Sequence, residues 1–194
     1  MFNGCTSLVQ APELPATTLA NRCYSNMFSG CSSLVYAPSI LPATTLAKDC
    51  YSGMFKKCTA LTEAPALPAD KLANACYDVM FSGCTSLTTA PELLATTLEP
   101  NCYNAMFYGC STLTKAPELP ATDLKPYCYY SMFSGCTKLN YVKAMFTTNP
   151  SNDITFVANW LSGVSATGTF VKNANATWTN EDANIPTGWT VETA

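Results

Sequence analysis

Any chemistry in this 194-residue chain rests on thiols, phenols and carboxylates: it holds eleven cysteines, ten tyrosines and thirteen acidic residues but no histidine. That absence removes the commonest general base and every Ser-His or Cys-His nucleophile arrangement. The cysteines fall in two registers. Cys5, Cys31, Cys58, Cys84, Cys110 and Cys136 close one motif, and Cys23, Cys50, Cys76, Cys102 and Cys128 each precede a tyrosine. Successive cysteines are eight or eighteen to nineteen residues apart, with no Cys-x-x-Cys pair, a spacing unsuited to zinc. Two readings stay open. Disulfides persist in exported proteins, but eight residues of helix separate two side chains by about 12 Å, too far for a bridge without a sharp turn. The other reading is a buried column of small, apolar free thiols, which the odd count favours. Paired-acid hydrolysis needs two converging carboxylates. Glu13, Glu92 and Glu118 instead share one repeat register, where other copies carry Ser39 and Ala66. No glycine-rich phosphate loop occurs. The residues therefore predict a chain that is not an enzyme, with no metal and no cofactor.

The elements that position these residues repeat along the chain. Segments opening at Met1, Met27, Met54, Met80, Met106 and Met132 all read Met-Phe-x-(Gly)-Cys-(Ser/Thr)-x-Leu, at steps of 26 or 27 residues. Five of them continue into Ala-Pro-x-Leu-(Pro)-Ala-x-x-Leu and then Cys-Tyr. In Cys23-Tyr24-Ser25-Asn26-Met27-Phe28 the apolar residues share a face at about 100° per residue, which predicts a short helix with one buried face. Gly30 would stop it in the left-handed conformation, as would Gly4, Gly83, Gly109 and Gly135, whereas Lys57 at the same position predicts local strain. Leu34-Val35-Tyr36-Ala37-Pro38 is proline-limited and predicts a strand of about three residues, ended by Pro38 as Pro12, Pro65, Pro91 and Pro117 end its copies. One such unit buries too little alone, so unit must stack on unit in an α/β solenoid of about six 26–27-residue repeats, each a short parallel strand plus a short helix.

The run Met-Phe-Ser-Gly-Cys-Thr-Ser-Leu at Met80–Leu87, nearly repeated at Met27–Leu34, resembles the BspA-like leucine-rich repeat of bacterial surface proteins, and is especially similar to versions in gut Bacteroides. The resemblance covers residues 1 to about 142, and the segments around Gly168-Thr169-Phe170-Val171-Lys172 and Ile185–Val191 resemble the end such proteins carry. It implies a leucine-rich-repeat fold and a role in adhesion.

From Ala144 the period is lost and Asn and Thr become common, so residues 1–143 are expected to form the solenoid and residues 144–194 a C-terminal cap. Ser151-Asn152-Asp153 predicts the start of a helix with Ile154, Val157 and Leu161 on one face and Gly163 as its stop. Gly168–Lys172 and Trp189–Val191 predict short strands, and Trp160, Trp178 and Trp189 are expected to cover the last repeat. Met1 falls inside a motif, so the natural protein is expected to extend upstream, with any export signal there.

Composition narrows the partners. Charged residues make up 12%, the formal net charge is −3, and no basic run exceeds Lys56-Lys57, so nucleic acid and anionic membranes are not expected. No stretch approaches 18 apolar residues, which predicts no membrane insertion of this chain. Variation between copies is more informative. The residue before each inward alanine or valine should point outward from its strand, and this column reads Gln10, Tyr36, Glu63, Thr89, Lys115 and Tyr141. Its chemistry changes at each step while the framework repeats, as in a binding surface; free drift of exposed positions would look the same. Tyr24, Tyr51, Tyr77, Tyr103 and Tyr129 do not vary, which predicts packing between the helices of successive units. The expectation is a secreted or surface-displayed binding module recognising an extracellular protein or glycan through its strand face. The alternatives are a structural spacer presenting an upstream domain and a phage-type receptor-binding component.

Overall fold

The computed structural model describes residues 1–194. The helices expected in each repeat do not form: the chain is almost wholly non-helical, and its one helical element is a three-residue 3-10 turn at Pro150–Asn152. The Cys-Tyr-x-x-Met-Phe segments are instead ribbons of successive turns. In the ribbon around Met27, the N–H groups of Ser25, Met27, Ser29 and Cys31 each donate to the carbonyl three residues back, at 3.0–3.2 Å. The N–H groups between them, on Arg22, Tyr24, Asn26, Phe28 and Gly30, point along the stack and donate to Lys48, Cys50, Ser52, Met54 and Lys56 of the next repeat at 2.7–3.0 Å. An α-helix would satisfy every one of these donors internally. Here half of them join one layer to the next.

Every fourth residue of a ribbon has a positive φ: Arg22, Asn26 and Gly30 in one layer, Asp49, Gly53 and Lys57 in the next, Ala75, Val79 and Gly83 in the third. A left-handed third residue is what a type II turn requires, and glycine or asparagine supplies it at least cost. Between these outward corners the inward pairs Cys50-Tyr51 and Met54-Phe55, then Cys58, are fully buried. Phe2, Phe28, Phe55, Phe81, Phe107 and Phe133 stack in one column with ring centroids 5.5–5.7 Å apart and planes within 12°. Tyr24, Tyr51, Tyr77, Tyr103 and Tyr129 stack in a second at 5.8–6.1 Å, so the invariant tyrosines do pack on one another, but between turn ribbons and not between the expected helices. These separations lie in the range of offset-stacked aromatic pairs.

On the other side of each layer the chain is extended. The strands expected at Leu34–Pro38 and its copies shrink to isolated parallel bridges, Gln10 with Tyr36, Glu63 with Thr89 and Lys115 with Tyr141. Proline limits them, since it cannot donate to a ladder. Regular strands appear only toward the C-terminus: β1 (Tyr141–Ala144), β2 (Gly168–Lys172) and β3 (Trp189–Thr193) form a parallel sheet in that order. Thr169 pairs with Tyr141 on one side and with Thr190 on the other, so this sheet prolongs the Lys115–Tyr141 bridge. One core of 52 buried residues runs through the repeats and residues 144–194 alike.

At the C-terminal end Trp160, Trp178 and Trp189 are buried as expected, and each indole N–H is satisfied by a main-chain carbonyl, of Ala183 at 2.7 Å, Phe146 at 3.1 Å and Ser165 at 2.8 Å respectively. The helix expected from Ser151 is absent. Asn149 caps the 3-10 turn instead, and the chain then re-enters the ribbon pattern, with Phe156, Ala158, Trp160 and Ser162 accepting from Tyr129, Ser131, Phe133 and Gly135. Val157 and Leu161 are buried, but Ile154 is 78% exposed, because a period of four and not 3.6 sets the inward positions here.

Lys57 occupies a left-handed corner (φ 60°) that the equivalent positions fill with Gly30, Gly83, Gly109 and Gly135. A left-handed L-residue costs roughly 1–2 kcal/mol, and glycine's greater freedom in the unfolded chain returns about half of that. Lys57→Gly should therefore stabilise the protein by about 0.5–1 kcal/mol and Gly109→Lys should destabilise it by a similar amount. Urea unfolding midpoints of the two variants check both signs.

Candidate functional site

The two thiol columns are free cysteines, nine buried and only Cys5 and Cys23 exposed. In the column after the glycine corner, each Sγ reaches the preceding layer. The thiols of Cys31, Cys58, Cys84, Cys110 and Cys136 donate to the carbonyls of Phe2, Phe28, Phe55, Phe81 and Phe107 at 3.0–3.2 Å. The same carbonyls accept a main-chain N–H from Cys5, Cys31, Cys58, Cys84 and Cys110. A buried carbonyl has two lone pairs, and here both are used. Loss of hydration pushes Cys50, Cys58, Cys76, Cys128 and Cys136 up to about 12, and holds Cys84, Cys102 and Cys110 well above the ordinary thiol value. Nucleophilic or metal-binding cysteine needs the thiolate, so this ladder is built for packing. No three Cys, Asp or Glu side chains converge as metal ligands would. Asp78 is the one carboxylate that burial raises, and it sits between Ser52 and Asn104, which both donate to it.

The extended side carries the varied column. Gln10, Tyr36, Glu63, Thr89 and Lys115 are exposed and Tyr141 is half-buried, while Ala11, Ala116 and Val142 beside them point into the core. The column is not one continuous row. Main-chain pairing joins Leu41 with Ala66 at 3.0 Å and Leu46 with Lys71 at 2.9 Å, then stops beyond Thr88, whose N–H donates to Thr62. It resumes where Ala116 donates to Tyr141 and Leu119 to Lys143, both at 3.0 Å. Residues 90–98, between these two paired blocks, make none of the chain's 93 backbone–backbone hydrogen bonds, and neither do residues 12–19 of the first copy.

Where the pairing stops, the surface opens into a groove of about 880 Å³. Residues 88–94 form one wall, residues 114–120 the other, and Tyr141 and Lys143 the far end. The groove unites three of the six varied residues, Thr89, Lys115 and Tyr141; Gln10, Tyr36 and Glu63 lie outside it. Lys115 Nζ stands 5.1 Å from the centre of the Tyr141 ring, within cation–π range. Four further side chains in the groove were not singled out by the column: Glu92, Leu94, Glu118 and Lys143. Lys143 and Glu118 pair at 2.9 Å, a partly exposed contact of little energetic weight. Leu94, 48% exposed, stands where Pro15, Pro42, Pro68 and Pro120 stand in the other copies. That departure from Leu-Pro is the sequence signal that marks this groove.

The site is therefore a shallow channel with a cation over an aromatic ring, an exposed leucine and a wall of main chain that pairs with no neighbouring layer. No helix of the chain is long and apolar enough to cross a membrane. No known protein family, curated protein or solved structure matches the chain.

The thiols give a pH prediction. Below the ordinary thiol value of 9.0 the buried cysteines are protonated folded and unfolded alike, so the full stability is present. Above it the unfolded chain sheds protons that the folded chain keeps, so stability should fall steadily from pH 9 toward 12, where the folded thiols titrate. Urea midpoints measured from pH 7 to about 11 check the direction. At pH 8 a thiol reagent should modify Cys5 and Cys23 quickly and the other nine only after unfolding.

Proposed function

We propose that the chain is a BspA-like leucine-rich-repeat solenoid acting as a non-catalytic binding module, secreted or displayed at a cell surface, that adheres to an extracellular protein or glycan through its extended side. The observation that carries this reading is the groove at Thr89, Lys115 and Tyr141, where three residues of the varied column meet beside a stretch of main chain that pairs with no neighbouring layer. Six copies of the Met-Phe-x-(Gly)-Cys motif, stacked layer on layer through hydrogen bonds and aromatic columns, support the family reading. Function in such a stack is assigned to its exposed face, since the repeated interior is committed to holding the layers together. A spacer needs only an evenly polar surface, whereas a clustered ring, ammonium and leucine favour recognition.

Binding of the soluble chain to arrays of glycans and extracellular-matrix proteins tests the reading. A ligand should be found whose affinity falls about tenfold or more, ~1.4 kcal/mol, in Lys115→Ala plus Tyr141→Ala. It should keep its affinity in Gln10→Ala plus Tyr36→Ala, a control on the same side outside the groove. Absence of any ligand at high concentration would overturn the binding role in favour of a spacer, and a ligand indifferent to the groove pair would place recognition elsewhere.

A further inference from the structure

We propose that the occupant of the groove is an extended peptide carrying an acidic and a basic residue two or four positions apart, held by main-chain pairing to residues 90–98. This deepens the binding reading and rests on it. The inward side chains Pro91, Leu93, Ala95 and Leu98 are buried, so this segment is anchored in the core like its neighbours. Its amides and carbonyls nevertheless take no part in main-chain pairing, and no side chain bonds to them either. By contrast Ala66 donates to Ser39 at 3.1 Å and Lys71 to Thr44 at 3.2 Å in the block before it, and Met145 donates to Leu119 at 2.9 Å in the block after. An anchored extended segment with a free main chain is a template for a further strand, which gains affinity from regularly spaced donors and acceptors and specificity from alternate side chains. A glycan lacks that regular spacing of amides.

Leu94 strengthens the template. Proline in four other copies has no N–H to give; leucine restores one and adds an exposed apolar contact. The charges set the ligand's pattern. Lys143 and Glu118 neutralise each other, while Lys115 and Glu92 have no ionic partner in the chain. Lys115 occupies the row of Thr89, because each is the residue before the inward alanine of its copy, and Glu92 lies three residues further along the segment. Three extended residues span about 10 Å. A strand lying along the groove therefore meets a positive charge at one point and a negative charge about 10 Å on, and because alternate residues of a strand face opposite ways, an acid and a base two or four positions apart present both charges to the groove.

The test uses short synthetic peptides of an otherwise Ser/Val sequence, with one Glu and one Lys separated by two to five positions, in both orders, titrated into the whole chain by NMR or fluorescence. Affinity should be higher at two and four positions than at three and five, in one order only. Methylating alternate peptide amides, or the substitution Leu94→Pro, should weaken it about tenfold; Pro at this position is what the other copies already carry, so the fold tolerates it. In Glu92→Lys plus Lys115→Glu the preferred order should reverse, which loss of folding cannot mimic. Affinity independent of spacing and order, or indifferent to amide methylation, overturns the proposal. So does a groove-dependent ligand that is a glycan or a folded protein with no peptide bound, an outcome that leaves the binding role standing. Failure of every ligand class removes both.

Discussion

The alternating direction of the N–H groups in each turn ribbon is the constraint on which the rest of the molecule depends. Because Tyr24, Asn26, Phe28 and Gly30 donate to the next layer and Ser25, Met27 and Ser29 donate within their own, no ribbon completes its hydrogen bonding alone. Buried main-chain groups left unpaired are costly, so a layer exists only in a stack. The rigid repeat distance this imposes then dictates side chains. Identical rings at equivalent positions fall into offset stacks, and a thiol small enough to sit beneath the ring reaches the Phe carbonyl of the layer before. The left-handed corners follow from the same geometry, since the ribbon must turn outward every fourth residue, and even Val79, a β-branched residue poorly suited to that conformation, is held there at φ 48°.

How the sequence misleads about the ribbon is instructive. Inward positions at i, i+1, i+4, i+5 and i+8, such as Cys50, Tyr51, Met54, Phe55 and Cys58, also share one face of a helix, because periods of 4 and 3.6 scarcely diverge over two turns. What separates the two is the residue at the corner. Asn26, Gly53 and Asn101 are poor helix formers that tolerate positive φ, and they recur at the fourth-residue spacing, yet Ala75 and Ala105 at equivalent corners conceal the pattern. Repetition itself, the stacked tyrosines, the buried tryptophans and the strands at Gly168–Lys172 and Trp189–Val191 were legible because each depends on local residue type or on self-similarity. Ile154 was misplaced because a helical period was carried into a segment that resumes the ribbon.

The outward column was legible from strand alternation alone, but the groove was not. A groove depends on which neighbouring segments pair, and that is a property of the stack with no local signature except Leu94 in place of proline. Glu118 and Lys143 belong to copies with different continuations after Leu113 and Leu139, so their approach to 2.9 Å follows from the register between layers, which one copy cannot reveal.

The two sides of the stack divide stability and variation between them. On the ribbon side each layer repeats the same hydrogen bonds, rings and thiols, and a change there is copied into a mismatch with both neighbours. On the extended side pairing is patchy even in the native fold, broken over residues 12–19 and 90–98, so the layer of residues 90–98 is held in register by the ribbons and by the inward Leu93 and Leu98 and not by its own ladder. Outward residues there can change without loosening a layer. That independence explains how one column can run through Gln10, Tyr36, Glu63, Thr89, Lys115 and Tyr141 on a framework whose other side scarcely varies. It also explains why unbonded main chain is tolerated at this place: the segment is exposed enough for water to satisfy its amides, and anchored enough that they stay aligned when something other than water arrives.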